Sequence, residues 1–429
     1  MGSAGVQRSL KFTKYLPNFD VHPVVLAAYE PGYISDASLM ADLPMSLRIE
    51  RVESRPLLAR LRRGVGVLRR MPVPTSESAA MSVEGGNQFT RDLILKIYAS
   101  SQFPDDKIGW AKRAFARACD LVHEENIDMI FSTAPPYSAH WLAARVSAKT
   151  KRPWVADCRD LWVDNPGYMA ASWRAGLDRY AERRIFRSAA GVVTVTPTWA
   201  DMFSRKLGRD ACIAMIPNGY DEDDFSSPIS LKSRDGNWRI AHVGSFYGHQ
   251  SPLPFLSDID KLLDRNSDIG QKLSIYFAGA IGSRFDSELA LFEDRHPGVL
   301  QCTGYLPHRQ AIEKMCQADA LLLVVGGGNT GLGVLPGKIF EYLRSMTPVI
   351  FYGPGAGDAA EILRQHTKCL IIDDKDKLDC RLRKLLGAIK YNNFDFFNNA
   401  DSGKFERRVL TEELASFLKR CMRKAHGGA

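Results

Sequence analysis

The chain has 429 residues, a hydrophobic share of 45% and a formal net charge of +8. This length predicts two or three domains with hydrophobic cores, and the modest positive charge favours anionic substrates or surfaces without demanding nucleic acid. The eight cysteines include no Cys-x-x-Cys pair, which argues against a disulfide framework or a zinc site. The sequence has neither an apolar run long enough for a membrane span nor a signal-peptide h-region, so we expect a cytoplasmic protein.

Helices and strands alternate through the N-terminal half of the chain. A small-residue loop at Gly2–Arg8 precedes a helix over 9–16 and a strand at Val24–Ala27. Further short apolar runs predict strands at 129–131, 154–156, 191–196 and 213–216. Helical spacing predicts helices at 108–123, from 140 to about 151, at 173–188 and at 197–207. The alternation is typical of an α/β domain.

The first loop lacks the strand that normally leads into it. In a βαβ unit, a glycine loop is the connection out of a parallel strand, but Gly2 directly follows Met1. We therefore expect the first strand of domain 1 to be missing, the natural protein to start upstream, and the first sheet to be broken between Val24–Ala27 and a later strand.

A polar cluster follows the predicted strand at 154–156. Asp157, Arg159 and Asp160 lie together where that strand ends. Ligands of open α/β sheets bind at the carboxyl ends of strands, so these residues are candidates for a site. Helix caps and surface ion pairs are the alternative interpretation.

The segment 55–74 combines arginines with leucines and valines and contains no acidic residue. This pattern indicates a basic amphipathic segment, which predicts contact with an anionic membrane or a lipid-linked acceptor. A solvated helix on the surface of the first domain is the alternative.

A second series of strands begins after a stretch of linker-like composition. Predicted strands lie at 238–243, 273–278, 299–303, 320–325, 348–352 and 369–372, with helices between them. The predicted domains are therefore an N-terminal domain at 1–225, a linker at 226–236, a second doubly wound domain at 237–403, and a closing helix at 404–429 that reaches back to the first domain.

The stretch 326–343 joins a buried strand to a helix through a glycine-rich loop. Pro336 fits the first helical turn, Lys338 follows it, and Glu341 lies one turn later. The positive end of a helix beside a lysine favours an anion, and a carboxylate there can accept hydroxyl groups such as those of a ribose. An ordinary loop with a surface Lys/Glu pair is the alternative.

Six short motifs in the chain occur in the order found in one enzyme family. They are the loop Gly2–Arg8, Asp157-Cys-Arg-Asp-Leu-Trp162, Pro217-Asn-Gly-Tyr220, Val243-Gly-Ser245, Gly304-Tyr-Leu-Pro307 and Pro336-Gly-Lys-Ile-Phe-Glu-Tyr-Leu343. With this set, the chain resembles glycosyltransferases of the GT-B fold, family 4, which are retaining enzymes that use nucleotide sugars. The resemblance spans nearly the whole chain.

The resemblance implies two Rossmann-like domains facing across a cleft, with the donor on the second domain and the acceptor on the first. It implies that Glu341 binds the ribose hydroxyls and that Gly304, Tyr305 and Leu306 lie against the base. It assigns to the neighbourhood of the transferred sugar, as catalytic candidates, Asp157, Arg159 and Asp160. The donor-binding candidates are Gly5, Arg8, Gly244, His249, Gly304, Tyr305, Leu306, Gly333, Pro336, Gly337, Lys338 and Glu341.

Two departures from the family pattern affect the diphosphate site. Many members carry a glutamate where this chain has Gly333, and an Arg and a Lys after the first strand of the second domain, where this chain has Ser245–Gln250 without a fixed cation. Lys338 is the candidate replacement, with Arg8 or Arg159 contributing from the first domain.

The resemblance implies metal-independent transfer of a sugar to a glycan or lipid-linked acceptor, with no cofactor besides the nucleoside diphosphate sugar. It places the protein in cell-surface polysaccharide synthesis, at the inner face of the cell membrane. A sugar-nucleotide epimerase of the same fold and a non-enzymatic nucleotide-binding protein are the alternatives. A dinucleotide dehydrogenase is disfavoured, because neither glycine loop forms a Gly-x-Gly-x-x-Gly motif after a strand.

Overall fold

The computed structural model describes residues 4–29, 40, 42–54, 103–165, 168, 172–226, 237–246, 250–326, 331–366, 369–372, 387 and 402–427. The basic segment 55–74, residues 227–236 of the predicted linker and His249 lie outside this part of the chain. The chain divides into two compact units. Unit 1 comprises Met1–Pro217 and Arg408–Ala429, and unit 2 comprises Asn218–Arg407.

Unit 1 alternates helices and parallel strands. Its α-helices are α1 (Ala4–Tyr15), α2 (Ile108–Glu124), α3 (Ser138–Thr150), α4 (Ser172–Arg187), α5 (Pro197–Leu207) and the last helix of the chain, Arg407–Ala425. Its strands are β1 (Val24–Tyr29), β2 (Arg48–Glu53), β3 (Ile130–Ala134), β4 (Trp154–Cys158), β5 (Gly191–Thr194) and β6 (Ile213–Met215).

The strands of unit 1 form two separate sheets in the described part of the chain. β1 pairs in parallel with β2, and β3, β4, β5 and β6 form a four-stranded parallel sheet in that order. The break expected after the Val24–Ala27 strand is therefore found among the described residues.

The four-stranded sheet has both faces covered, as a parallel sheet requires. Val155 and Val193 face a cluster that contains Phe12 of α1 and Leu414 and Phe417 of the last helix. The neighbouring strand residues point the other way: Trp154, Ala156, Cys158 and Val192 face a second cluster with Phe186 and Phe203. Strand alternation thus packs the C-terminal helix onto unit 1.

Unit 2 repeats the α/β pattern with a more regular sheet. Its strands are β7 (Trp238–Val243), β8 (Leu273–Ala278), β9 (Leu300–Gly304), β10 (Ala320–Val324), β11 (Val349–Tyr352) and β12 (Cys369–Ile372). Its helices are α6 (Leu253–Arg265), α7 (Ser267–Gly270), α8 (Asp286–Arg295), α9 (His308–Gln317), α10 (Lys338–Ser345) and α11 (Asp358–His366). The last helix of the chain, Arg407–Ala425, is α12.

The six strands of unit 2 form one parallel sheet in the order β12-β11-β10-β7-β8-β9. The chain winds outward from β7 through β8 to β9 and then crosses over to β10 on the other side of β7. This is the doubly wound Rossmann order, and its reversal point lies between β7 and β10. Alternate residues of β10 pack into the clusters on the two faces of the sheet.

The predicted α/β class with two Rossmann-like units is confirmed. The strand β2 was not predicted from the sequence, because its Arg48–Glu53 run carries charges at four of its six positions and shows no apolar alternation. α1 starts at Ala4, so Gly5 lies in a helix and not in the predicted loop. No helix in the described part of the chain is both long and apolar enough to cross a membrane.

Candidate functional site

A glycine lies beside the reversal point of the unit 2 sheet, and any larger residue at its position would displace a neighbouring side chain. Gly244 follows β7 with a φ of 128°, which side chains rarely tolerate. A Cβ atom on Gly244 would lie 2.5 Å from Nζ of Lys338. Because Gly244 has no side chain, the Lys338 side chain can lie against the backbone at the carboxyl end of β7.

Lys338 is the first residue of α10 and reaches back to the sheet. Its Nζ lies 3.1 Å from Nε2 of His242, a fully buried residue of β7. Nδ1 of His242 lies 2.9 Å from the carbonyl oxygen of Leu322, to which only an N–H can donate. The proton of the neutral ring is thus on Nδ1, and Nε2 accepts a hydrogen bond from Lys338. The ring also stacks on Phe246, with 3.9 Å between centroids.

Electrostatics make the Lys338 position receptive to an anion. Burial lowers the pKa of Lys338 to about 7, although the Glu341 carboxylate opposes that shift. Burial and the neighbouring lysine hold the pKa of His242 well below its ordinary value, so the ring stays neutral. Among the residues that the structure describes, no carboxylate forms an ion pair with Lys338. A helix N-terminus next to an unneutralised ammonium attracts negative charge.

Glu341 lies one turn along α10 and faces a different neighbour. Its Oε1 is 3.8 Å from Nε2 of His308, whose ring is also 3.2 Å from Oδ2 of Asp224. Burial raises the pKa of Glu341, and the nearby His308 opposes that rise. The side chain of Glu341 remains 21% exposed, so its carboxylate is accessible to hydroxyl donors.

Two contacts fix α10 against the sheet. The Val243 N–H donates to the Tyr342 hydroxyl at 3.0 Å, and Ile339, Phe340 and Leu343 are buried in the core of unit 2. The helix begins at Lys338, two residues after Pro336, whose carbonyl accepts the N–H of Ile339 at 3.1 Å. Pro336 therefore closes the loop before the helix, and the prediction that it lies in the first helical turn is wrong.

The other predicted donor residues line the same edge of unit 2. Gly304 ends β9 with a φ of 70°, Tyr305 is exposed and Leu306 is half-buried. Gly333 is buried in the loop between β10 and α10, and Gly337 is the residue before that helix. Their donor contacts stay predictions, and His249 lies outside the described residues.

In unit 1, Asp157 lies inside β4 and not in the loop after it. Its carboxylate accepts hydrogen bonds from Arg8, with Nη2 at 2.8 Å and Nε at 3.1 Å, and from the Thr133 hydroxyl at 2.7 Å. Burial alone would raise the pKa of Asp157, but the charge and hydrogen bonds of Arg8 and Thr133 hold it below its usual range. Arg8 also donates to the Pro217 carbonyl at 2.7 Å. This network attaches α1 to the sheet, and both side chains are almost fully buried.

Arg159 packs directly over Gly5. A Cβ atom at Gly5 would overlap Nη1 of Arg159, so a larger residue there would require the arginine side chain to move. The backbone N–H of Arg159 donates to the Ala134 carbonyl at 3.1 Å, and its side chain donates to the Pro135 carbonyl. Arg159 and Asp160 are half-buried, so they are more accessible than Asp157.

The structure brings the predicted residues together in two groups, one in each unit. Gly244, Gly337, Lys338 and Glu341 gather at the reversal point of unit 2, and Gly5, Arg8, Asp157 and Arg159 meet in unit 1. His308 was not predicted, although its position directly after the Gly304–Pro307 motif was a usable signal. His242 is a buried core histidine, and its bond to Lys338 could not be read from the sequence.

A group of described residues in unit 2, away from the reversal point, has the spacing of a metal site. Asp260, Asp264 and His296 lie close enough to share an ion. Arg295 pairs with both aspartates, with Nη2 2.8 Å from Asp264 Oδ2, so these carboxylates already have a cationic partner.

Comparison with known proteins finds a family model that resembles part of the chain and solved structures that share the fold of the whole. Residues 19–219 match the family model of the glycosyl transferase 4-like domain. Among curated proteins none matches this chain.

Several solved structures share the fold over nearly the full length. HepE of Anabaena, in complex with UDP, aligns with a TM-score of 0.58 at 13% identity over 98% of each chain. Sucrose-phosphate synthase of Thermosynechococcus elongatus aligns with a TM-score of 0.57 at 12% identity, covering 96% of this chain and 92% of its own. The lipopolysaccharide outer core galactosyltransferase WaaB aligns with a TM-score of 0.54 at 11% identity, covering 98% of this chain and 96% of its own. Residues 19–219 are therefore similar to a glycosyl transferase 4-like domain, and the chain as a whole shares the GT-B fold of these structures.

Proposed function

We propose that the protein transfers a sugar from a nucleoside diphosphate sugar to a glycan or lipid-linked acceptor, with retention of configuration and without a metal or cofactor. The observation that carries this proposal is the position of Lys338. Its ammonium lies at the reversal point of the unit 2 sheet, beside Gly244 and bonded to a neutral histidine. A cation held there without a carboxylate among the described residues suits a diphosphate.

The donor is oriented by three neighbouring features of unit 2. Lys338 and the N-terminus of α10 bind the diphosphate, and Glu341, one turn later, accepts the ribose hydroxyls. The exposed ring of Tyr305 and the half-buried Leu306 offer a surface for the base. HepE was solved with UDP and with UDP-glucose, which supports a uridine nucleotide as the first donor to test.

The chemistry requires stabilisation of a leaving group. When the bond between the sugar C1 and the diphosphate oxygen breaks, negative charge grows on that oxygen, and an ammonium already in place lowers the barrier. In a retaining reaction without a covalent intermediate, the acceptor hydroxyl attacks C1 on the face that the leaving group departs from, and its proton passes to the departing phosphate oxygen. We name no covalent nucleophile. In unit 1, Asp157, Arg159 and Asp160 are candidates for contacts near the transferred sugar and the acceptor, and of these Arg159 and Asp160 are the accessible ones.

The acceptor is inferred from a relative. WaaB is a lipopolysaccharide outer core galactosyltransferase, and this supports a glycan or lipid-linked acceptor in cell-surface polysaccharide synthesis for the present chain. Such acceptors lie at the inner face of the cell membrane, where we place the protein as a peripheral enzyme. Contact through the segment 55–74, which lies outside the described residues, stays a prediction.

A donor panel tests the proposal. The purified chain is incubated with uridine, guanosine and adenosine diphosphate sugars, with and without glycan acceptors, in the presence of a chelator, and nucleoside diphosphate release is measured. We expect acceptor-dependent release from one donor, and a product whose anomeric NMR coupling matches the donor. Conversion of the donor sugar without acceptor would identify an epimerase, and binding without turnover would identify a non-enzymatic nucleotide-binding protein.

A further inference from the structure

Helix α4 is amphipathic in the reverse of the usual sense. Its 16 residues run from Ser172 to Arg187, and the face turned into unit 1 carries Arg174, Asp178, Glu182 and Phe186, all buried. Most surface helices bury apolar residues and expose charged ones. In α4, three of the four inward residues are charged.

The buried charges of α4 are neutralised inside the protein. Arg174 Nε lies 2.6 Å from Asp178 Oδ1, and the Tyr168 hydroxyl donates to the same carboxylate at 2.7 Å. Lys206 Nζ lies 2.8 Å from Glu182 Oε2. Asp178 and Glu182 are the only acidic residues of this helix, so its outer face has no negative charge.

The outer face of α4 carries large apolar side chains at helical spacing. Trp173 is 65% exposed, Leu177 59% and Tyr180 66%, at positions i, i+4 and i+7 of one stripe. Four exposed arginines accompany this stripe: Arg179, Arg183, Arg184 and Arg187. Within the described residues, the ion pairs of α4 involve only its buried groups, so these four arginines keep their charge toward solvent. We call this face the α4 surface.

We propose that the α4 surface binds an anionic phospholipid bilayer. Tryptophan and tyrosine prefer the headgroup level of a membrane, where the ring is apolar and the N–H or O–H remains hydrated. Leucine between them gains by burial among acyl chains, and arginines beside them reach lipid phosphates. This proposal rests on the peripheral membrane location proposed above and assigns it to a surface, but it requires neither the donor site nor the segment 55–74.

The charge pattern favours a bilayer over other partners. A polyanion without acyl chains would use the arginines but leave Leu177 exposed, whereas a neutral apolar partner would leave four arginines unpaired. An anionic bilayer satisfies both parts of the α4 surface together. Each arginine held near such a membrane raises the affinity about fivefold, and salt weakens this part of the binding.

Vesicle flotation with the full-length protein tests the proposal. One set of vesicles is phosphatidylcholine alone, and the other contains about one third phosphatidylglycerol. We expect binding to the anionic vesicles only, and a loss of about tenfold or more when Arg179, Arg183, Arg184 and Arg187 are changed to Ser. A matched control changes four exposed arginines elsewhere to Ser: Arg205, Arg209, Arg265 and Arg309.

Fluorescence tests whether the apolar stripe enters the membrane. Vesicles with brominated acyl chains should quench part of the tryptophan emission of the wild type, and Trp173→Phe should remove that quenching. All altered side chains are exposed, and circular dichroism checks that each variant is folded. The proposal fails if the wild type ignores anionic vesicles, if the control variant loses as much binding as the α4 variant, or if quenching persists in Trp173→Phe. Retained binding in the α4 variant would assign the contact to another surface.

Discussion

Both units hold a basic side chain at the carboxyl end of a parallel sheet. In unit 1 a carboxylate pairs with it, whereas in unit 2 its described partner is neutral. In unit 1 the Arg8 guanidinium is fully buried and shares its hydrogen bonds between Asp157 and the Pro217 carbonyl. In unit 2 the Lys338 ammonium is half-buried, and its described partner is a neutral ring, His242.

This difference is the basis on which we propose Arg8 as a structural cation and Lys338 as a ligand-binding one. A buried charge that a protein group already neutralises gains little from a substrate, whereas one held beside a neutral acceptor gains a full counter-charge when an anion binds. We therefore expect substitutions at Arg8 and Asp157 to change the stability of the fold, and substitutions in α10 to change donor binding.

The largest expected effect is on stability, in Asp157→Asn. Removing one partner leaves the Arg8 charge buried and uncompensated, so the free energy of unfolding should fall by about 3–5 kcal/mol. Urea denaturation of the full-length protein and of the variant measures this loss in the free energy of unfolding. Lys338→Met is the matched variant in unit 2 and should cost less stability, because it leaves no charge unpaired and removes only the donor to the neutral Nε2 of His242. An equal loss in both variants would remove the distinction.

The pH dependence of stability follows from the same pair. The pKa of Asp157 is lowered in the folded state, so its contribution is fully present above the unfolded pKa and is lost as the pH falls through the folded one. Asp157→Asn should therefore flatten the acid side of the stability profile. A double variant, Arg8→Met with Asp157→Leu, should recover much of the lost stability, since it leaves no charge unpaired.

The sequence predicts the sheets better than it predicts this pairing. Short apolar runs mark strands such as Ala320–Val324 and Val349–Tyr352, because buried parallel strands need apolar side chains on both faces. The same rule fails for the charged strand Arg48–Glu53. Because of the same rule, the predicted strand stops at Ala156, although β4 continues through Asp157 to Cys158. A buried aspartate in a strand is interpretable only once its partner is known.

The partners themselves come from distant parts of the chain. Arg8 and Asp157 are 149 positions apart, and His242 and Lys338 are 96 positions apart. Periodicity and spacing carry no information over such distances, so the sequence alone offered Lys338 for the diphosphate with Arg8 or Arg159 contributing, and it gave none of these cations a partner. The fold distinguishes them, because it supplies a carboxylate to Arg8 and a glycine and a neutral histidine to Lys338.

The second expected effect is on turnover, in Glu341→Ala. Loss of a charged hydrogen-bond acceptor for the ribose should weaken donor binding by about 1.5–3 kcal/mol and reduce turnover below detection, with the fold intact. Calorimetry with UDP and with its 2′-deoxy analogue measures the contact. The wild type should prefer UDP, and the variant should bind both equally. Full activity in the variant would remove Glu341 from the donor site.

The third expected effect is on the diphosphate, in Lys338→Met. The affinity for UDP should fall about tenfold to a hundredfold, because hydrogen bonds to charged groups contribute about 1.5–3 kcal/mol. The affinity for uridine, which has no phosphate, should stay the same. Lys261→Met, on the exposed face of α6, controls for the loss of one positive charge. Equal losses for UDP and uridine would mean that Lys338 does not contact phosphate.

The smallest expected effect is the pH dependence of UDP binding. Because the pKa of Lys338 is lowered to about 7 in the free protein, its charged fraction falls as the pH rises above 7. The bound diphosphate favours the protonated amine of Lys338. Binding of UDP above pH 7 must therefore be accompanied by uptake of a proton by this amine. The dissociation constant should therefore rise with pH, by at most about tenfold per unit. Calorimetry in two buffers of different ionisation enthalpy measures the proton uptake directly.

Two comparisons assign that dependence to Lys338. His242 cannot produce it, because its pKa lies well below its ordinary value and the ring is neutral throughout this range. Lys338→Arg keeps a charge that does not titrate, so its UDP affinity should be level between pH 7 and about pH 9. Without ligand, the wild type should become more stable as the pH rises from about 7 toward the unfolded lysine pKa, because the unfolded chain then binds the extra proton. An affinity that is level in the wild type as well would show that Lys338 keeps its charge, and that a counter-charge compensates it as Asp157 compensates Arg8.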